Sequence, residues 1–481
     1  MKSKALISQV GVMCFSMIKG FVALKIMVQF GDHDYALLSQ YFVVSTFGVQ
    51  LILFNFDAPL VSSLVNQGDD RQLAYTSLAH LMLFNLLAVA SGALLFPGLV
   101  SSWIWGGDFS AMVGLLLIYV LVLSGNHLTL LNLQAAKNFS TYSRLQMGQQ
   151  VLQLLALGIG LWLWNVMYVV VMAIVLELAL WSVGWKHKAA ISFSKGQMVQ
   201  SSRWIRANWP VAWPLFIGFT MIWGLNNYGR FFVVQQLDLK SLASYAATFS
   251  IALLSGLLIS PVCSVFFPYM SENDGKSLAA ARSLISGLTL LLGLTACVGF
   301  TLTASIWLLM GLVARADLFA GYPFVACVCA AQMAYGVARL ANLSTVVRKR
   351  TLHGSFSFAS GLAISVVLGF FLGPVYGILG IAISYCLGSV FAMTVILCDV
   401  LPFVKSCYPQ FGLGRFSVFA ALSFLLPFTA LWVSWDSLSQ IVMFVPSILA
   451  PYLLVSLLLL KNEEYLDAVL SKIKVLGGRF A

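Results

Sequence analysis

The stretch KHKAAISFSKGQMVQSSRWIRAN, residues 186–208, is the longest polar interruption inside this chain. It carries Lys186, Lys188, Lys195, Arg203 and Arg206, several Ser and Gln, and no acidic residue. Apolar runs flank it on both sides, at 166–186 and 209–236. A basic segment between two apolar runs of membrane length marks the cytoplasmic side of a bilayer, because translocation disfavours Lys and Arg. Residues 186–208 therefore predict a cytoplasmic linker between two halves of a membrane protein. Composition agrees. With 60% apolar residues, 9% charged residues and a mean hydropathy of +0.93 over 481 positions, the chain holds more hydrocarbon than a water-soluble core can hide.

Working outward from that stretch, apolar windows of about 20 residues predict fourteen spans. They fall near 5–30, 36–65, 74–100, 110–133, 143–163, 166–186, 209–236, 242–270, 281–311, 322–347, 356–373, 376–398, 415–434 and 439–460. Of the 27 Lys and Arg, all but six fall in the termini or the even-numbered loops. Only Lys240 and Arg315 fall in odd-numbered loops, so both termini and the even loops are predicted to be cytoplasmic. Topology thus accounts for the net charge of +11 and the pI near 9.3 without nucleic acid as a partner. Of the eight cysteines, all but Cys407 lie in spans, which implies no disulfide framework. The N-terminus reads as a retained first helix, since no small-residue cleavage site follows it. The outward loops are short, the longest lying around 101–109 and 312–321, and leave no room for a catalytic domain. The phosphate-loop pattern GxxxxGK[ST], HExxH and GxSxG are all missing, so neither an ATPase nor a hydrolase is expected, and no cofactor is implied.

The two halves resemble one another. FNFDAPLVSSL in span two, with Pro59, parallels LLISPVCSVFF in span eight, with Pro261. Gln40-Tyr41 parallels Ser244-Tyr245, Lys25 parallels Arg230, and His127 falls opposite Arg339. The predicted architecture is all-α: a polytopic membrane protein with two six-helix lobes around a central cavity and two further C-terminal helices. Its parts are residues 1–200, 201–400 and 401–481, the last ending in a cytoplasmic tail. Parallel repeats of this kind place substrate between halves.

Ionisable groups inside spans are costly and point to function. Lys19 lies deep in span one on a face shared with Gln9 and Ser16, too deep for easy snorkelling. Lys25 lies nearer the outer end and reads as a snorkelling lysine despite its repeat match. In span seven Trp223, Asn226, Asn227 and Arg230 form a polar stripe with one aromatic, suited to sugar hydroxyls and an anion; Arg230 also fits a periplasmic anchor. Span ten offers Gln332, Tyr335, Arg339 and Asn342 on a comparable stripe. His127, with Gln134 beyond it, reads as a cavity residue or as a neutral packing residue. The acids Glu177 and Asp57 either pair with internal bases or carry a coupling ion, H+ or Na+. Four internal cations against two acids leave a positive surplus, which favours an anionic substrate such as a pyrophosphate or an acidic sugar.

Four segments carry a resemblance: GVMCFSMIKGFVALKIMVQFGDHDYALLSQYF, LNNYGRFFVVQQLDLKSLASYAATFSI, FFPYMSE and LQAAKNFSTYS. They resemble the Wzx-type bacterial polysaccharide flippases of the multidrug, oligosaccharidyl-lipid and polysaccharide exporter superfamily, over roughly residues 5 to 400. The resemblance implies an inner-membrane protein that moves undecaprenyl-pyrophosphate-linked oligosaccharide, an O-antigen or related repeat unit, from the cytoplasmic to the periplasmic leaflet. It makes membrane lipids, a polysaccharide polymerase and a chain-length regulator the candidate partners. Where many relatives carry an acid before the basic residue of span seven, this chain has Asn226 and Asn227, so an acid-dependent ion site is not carried over there. Two alternatives remain. A polymerase or ligase of the same pathway would need a larger outward segment, and a drug or cation exporter would need the opposite balance of charge, with an acid where span one has Lys19.

Overall fold

The computed structural model describes residues 15, 18–56, 70–135, 138–184, 194–270, 277–313, 315–348, 350–433 and 437–460. Hydrocarbon offers no partner for a peptide N–H or C=O, so an apolar span must satisfy its backbone internally. Among the described residues all regular structure is helical. We number the helices α1 (18–27), α2 (Asp32–Leu53), α3 (Asp70–Leu95), α4 (Pro97–Trp105), α5 (Ser110–Ala135), α6 (Phe139–Trp162), α7 (Val166–Gly184) and α8 (Lys195–Gln236). They continue with α9 (Leu239–Ala252), α10 (Ile259–Met270), α11 (Leu278–Val313), α12 (Tyr322–Val347), α13 (Thr351–Cys407), α14 (Leu413–Thr429) and α15 (Leu438–Leu460).

Among the described residues ten helical segments are long and apolar enough to cross a membrane. Thr351–Cys407 counts once among them but is a hairpin of two helices, since Gly377 turns the chain with φ +58° and ψ −139°, a backbone that favours glycine. Its two arms pack closely: Ser357 Oγ donates to the Ala392 carbonyl at 2.7 Å, and a Cβ on Gly361 would meet the Gly388 carbonyl at 2.7 Å. With α6 and α8 the described residues hold thirteen of the fourteen membrane passages predicted, and α1 holds the end of the first, in an all-α polytopic fold. Of these, α6 and α8 are more polar than the other passages, since they carry Gln149, Gln153, Asn226, Asn227 and Arg230.

Three boundaries differ from expectation. The span predicted over 74–100 breaks at Phe96, because proline disfavours helical backbone in the residue before it, and Pro97 starts α4. The outer loop expected at 101–109 is therefore helical as far as Trp105. The linker predicted over 186–208 becomes helix from Lys195, since Lys, Gln, Met and Arg are strong helix formers and a polar helix end needs no bilayer around it. At about 1.5 Å per residue, α8 is roughly twice as long as the hydrocarbon core is thick.

The chain forms two compact units. One comprises Met1–Phe219 with Asp238–Ala243, the other Thr220–Leu237 with Ser244–Ala481, so α8 contributes to both. Phe54, which ends α2 in the left-handed region at φ 51°, belongs to the first unit and stacks there on Trp209 and Phe216 at 4.7 and 4.0 Å. In the second unit α12 is the most enclosed of the passages, buried along most of its length, whereas α15 is largely exposed. Polar residues on α12 consequently face protein. On α3 the exposed large side chains include Leu83, Phe84, Leu87, Leu94 and Leu95, the pattern of a lipid-facing surface.

Candidate functional site

Each unit has a polar centre, and each is built from side chains that meet across helices. In the first unit the centre is Glu177, in the middle of α7 and fully buried. A buried carboxylate needs donors on its lone pairs, and three amides supply them. Asn126 Nδ2 on α5 donates at 2.8 Å, Gln153 Nε2 on α6 at 3.0 Å and Gln149 Nε2 on α6 at 3.2 Å. Asn126 also donates to the Glu177 carbonyl at 3.0 Å, which ties α5 to α7 through one side chain. The Lys19 ammonium on α1 donates to Gln153 Oε1, and Gln153 Nε2 approaches the Tyr119 hydroxyl at 3.4 Å. Lys19 as a residue is half-buried, and Gln153 Oε1 is the acceptor that its ammonium meets.

The centre of the second unit is uncharged. Asn226 Oδ1 on α8 accepts from the Tyr385 hydroxyl at 2.7 Å and from Gln332 Nε2 at 3.3 Å, and Gln332 Nε2 also donates to the Tyr385 hydroxyl at 2.6 Å. A second pair lies two residues further along α8: the Tyr228 hydroxyl meets Ser384 Oγ at 2.5 Å and donates to the Ile381 carbonyl at 3.1 Å. These bonds join α8, α12 and the second arm of α13 within the unit.

Two arginines that the sequence places inside spans of this unit, Arg230 and Arg339, lie beside aromatic residues. Arg230 is only 5% exposed, with its guanidinium 6.0 Å from the Phe249 ring centroid; Phe249 stacks on Tyr245 at 5.2 Å. Burial at that level places Arg230 inside the protein fold, where a snorkelling anchor would be exposed. Arg339 is half-buried on α12 and donates to the Tyr335 hydroxyl at 3.5 Å, and Tyr335 in turn lies 6.1 Å from Phe358.

Other residues singled out in the sequence are placed as follows. Asn227 bonds back to the Trp223 carbonyl on its own helix at 3.0 Å, and Trp223 sits 5.9 Å from Phe231. Asn226 and Asn227, adjacent in sequence, thus have different partners: one joins the interhelical network and the other stays local. Asn342 accepts from Thr345 Oγ1 at 3.0 Å. Lys25 is exposed near the end of α1, as a snorkelling lysine requires, and His127 is half-buried beside Asn126 on α5. Asp57, Gln9, Ser16 and the side chain of Gln134 lie outside the described residues. The sequence reading missed Gln149, Gln153, Asn126 and Tyr385. One signal was there: Gln146, Gln149, Gln150 and Gln153 recur at i, i+3, i+4 and i+7 and so share one face of α6.

At the far end of α12, Arg348 and Arg350 grip Asp399 at 2.8 and 3.1 Å, and Arg348 lies 4.5 Å over the Phe403 ring. Asp399 is thereby shared by two cations and locks α12 to the end of α13.

No protein-family model matches the sequence, and no curated protein matches it significantly. Solved structures do match in fold. One is a lipid II flippase, MurJ, in an inward closed conformation, with 13% identity, a TM-score of 0.69, and coverage of 94% of this chain and 99% of that one. A second is an inward-facing multidrug resistance MATE family transporter of the MOP superfamily, with 12% identity, a TM-score of 0.60, and coverage of 81% and 95%. A third is a MATE protein in its bent conformation, with 11% identity, a TM-score of 0.56, and coverage of 85% and 96%. At these identities the likeness is one of fold.

Proposed function

We propose that this chain is a flippase for a polyprenyl-pyrophosphate-linked oligosaccharide, the undecaprenyl-linked repeat unit of a surface polysaccharide such as an O-antigen. It carries that lipid from the cytoplasmic to the periplasmic leaflet of a bacterial inner membrane by alternating access, and makes or breaks no covalent bond. The observation that carries the reading is the sign of the charge inside the spans. Lys19, Arg230 and Arg339 are buried or half-buried there, while Glu177, their described counterpart, is already held by three amides. Such surplus positive charge in a low-dielectric setting attracts a pyrophosphate strongly. Two arginines add planar, bidentate recognition of phosphate oxygens. The fold likeness to a lipid II flippase supports this substrate class.

The second reading is a drug or cation exporter, favoured by the buried Glu177 and by the likeness to MATE transporters. A cation path needs its carboxylate available, and both oxygens of Glu177 already accept from amides, so we place this reading second. H+ or Na+ remains the candidate coupling ion under either reading. Profiling lipid-linked oligosaccharides in a deletion strain separates the two. The flippase reading expects accumulated lipid-linked intermediate and lost surface glycan, both restored by the intact gene. Normal glycan together with new sensitivity to cationic drugs would replace it with the exporter. Orientation is tested separately: alkaline phosphatase fused after residue 208 should be inactive, and strong activity there would reverse the topology that puts both termini in the cytoplasm.

A further inference from the structure

Lys19 and Glu177 do not touch. They are joined through one carboxamide, with the Lys19 ammonium on Gln153 Oε1 and Gln153 Nε2 on the Glu177 carboxylate at 3.0 Å. Chemistry leaves this amide a single orientation, because an ammonium only donates and a carboxylate only accepts. The spacing matters for what happens when the pair separates. In a direct buried ion pair, removing one partner strands a charge, which is prohibitive during a transport cycle. Here Glu177 keeps its amides from Asn126, Gln149 and Gln153 when Lys19 leaves, and the departing ammonium gives up a neutral oxygen. The pull of Glu177 on Lys19 is nonetheless present, weakened by distance but little screened in a buried setting.

We propose that Glu177 is a resident counter-charge for Lys19, and that Gln153 is the positioning residue that holds the two apart. The incoming anion draws Lys19 off Gln153, and Glu177 draws it back, so that the carboxylate limits how tightly the anion is held and thereby permits its release. The ligand class is a phosphate or pyrophosphate group. This rests on the reading of Lys19 as an anion-binding residue.

The test measures binding of farnesyl pyrophosphate, a short polyprenyl pyrophosphate, to the purified full chain in nanodiscs, alongside surface glycan in cells at matched protein level. Glu177→Gln removes the counter-charge at nearly constant shape, and should bind the probe about three- to tenfold tighter while exporting less glycan. Glu177→Asp keeps the charge and should return both readouts toward wild type. Gln153→Glu brings an acid into direct contact with Lys19, the two acids sharing one proton because like charges about 3 Å apart do not both ionise, and should weaken probe binding about three- to tenfold. A purely structural role for these residues predicts weaker binding and lower protein level in every variant, and no tightening anywhere. If Lys19→Ala abolishes binding while Glu177→Gln leaves affinity unchanged or lower, the counter-charge proposal is overturned and the anion-site reading stands. If Lys19→Ala binds the probe like wild type, the underlying reading of Lys19 falls, and the proposal with it.

Discussion

In the first unit, α5, α6 and α7 converge on a carboxylate, and Asn126, Gln149 and Gln153 each turn an amide donor toward Glu177. In the second unit, α8, α12 and α13 converge on Asn226, Gln332 and Tyr385, where neutral groups share donors and acceptors and the charged residues, Arg230 and Arg339, lie to the side against rings. The difference teaches how a membrane protein handles polarity in two settings. A buried charge must be saturated with dedicated partners, which makes its surroundings intolerant of change. A neutral network loses only one hydrogen bond at a time. Function should therefore be more sensitive in the first unit at Lys19, and stability more sensitive around Glu177 than around Asn226.

The comparison is tested most severely at Lys19. Lys19→Ala should reduce surface glycan at least tenfold, about the value of one strong charge-assisted contact, with Lys19→Arg retaining part of it. Wild-type glycan from Lys19→Ala cells at normal membrane levels would make the lysine structural and remove the contrast in function.

Next in size, Arg230→Ala and Arg339→Ala should each lower export about three- to tenfold, and the Lys variants should be intermediate because an ammonium lacks the guanidinium fork. Surface glycan and accumulated lipid-linked intermediate in the four single mutants, with immunoblots for level, give the measurement. Full export in both Ala mutants would confine anion binding to the first unit.

The stability contrast is sharpened by a matched pair. Asn126→Leu leaves the Glu177 carboxylate short of a donor and should cost about 2–4 kcal/mol, whereas Asn226→Leu, in the neutral network, should cost about 1–2 kcal/mol. Thermal unfolding of the purified proteins in one detergent compares them, and equal losses would erase the distinction between a charged and a neutral centre. Smallest of all, Tyr385→Phe deletes the hydroxyl that bonds Asn226 and Gln332 and should cost about 1 kcal/mol with export retained. A loss above that of Asn126→Leu would reverse the ranking.

Much of the architecture was legible before folding was considered. Passages ended within a few residues of expectation at Trp162, Gln236, Val347 and Leu460, because hydrophobic length is a property of local sequence. Misreadings arose where polarity and helicity part company. Residues 195–208 are polar enough to leave the bilayer yet helical all the same, and Phe96 is apolar yet stops a helix because of the proline after it. Within the candidate sites, Lys19 and Glu177 stood out as charges in apolar runs, but Gln153 did not, since an uncharged amide in a span is common and of modest cost.

Sequence alone determined that this chain is a bundle of membrane-length helices with a positive surplus inside, since the bilayer allows so few other solutions and charges are countable without coordinates. Only the tertiary structure decided which polar groups meet. Lys19 and Gln153 are 134 residues apart, and Tyr385 and Asn226 are 159 apart. Nothing local encodes such pairs: they follow from how helices that are apolar on nearly every face rotate and pack against one another, and a rotation of one residue step would turn Gln153 away and leave Glu177 short of an amide.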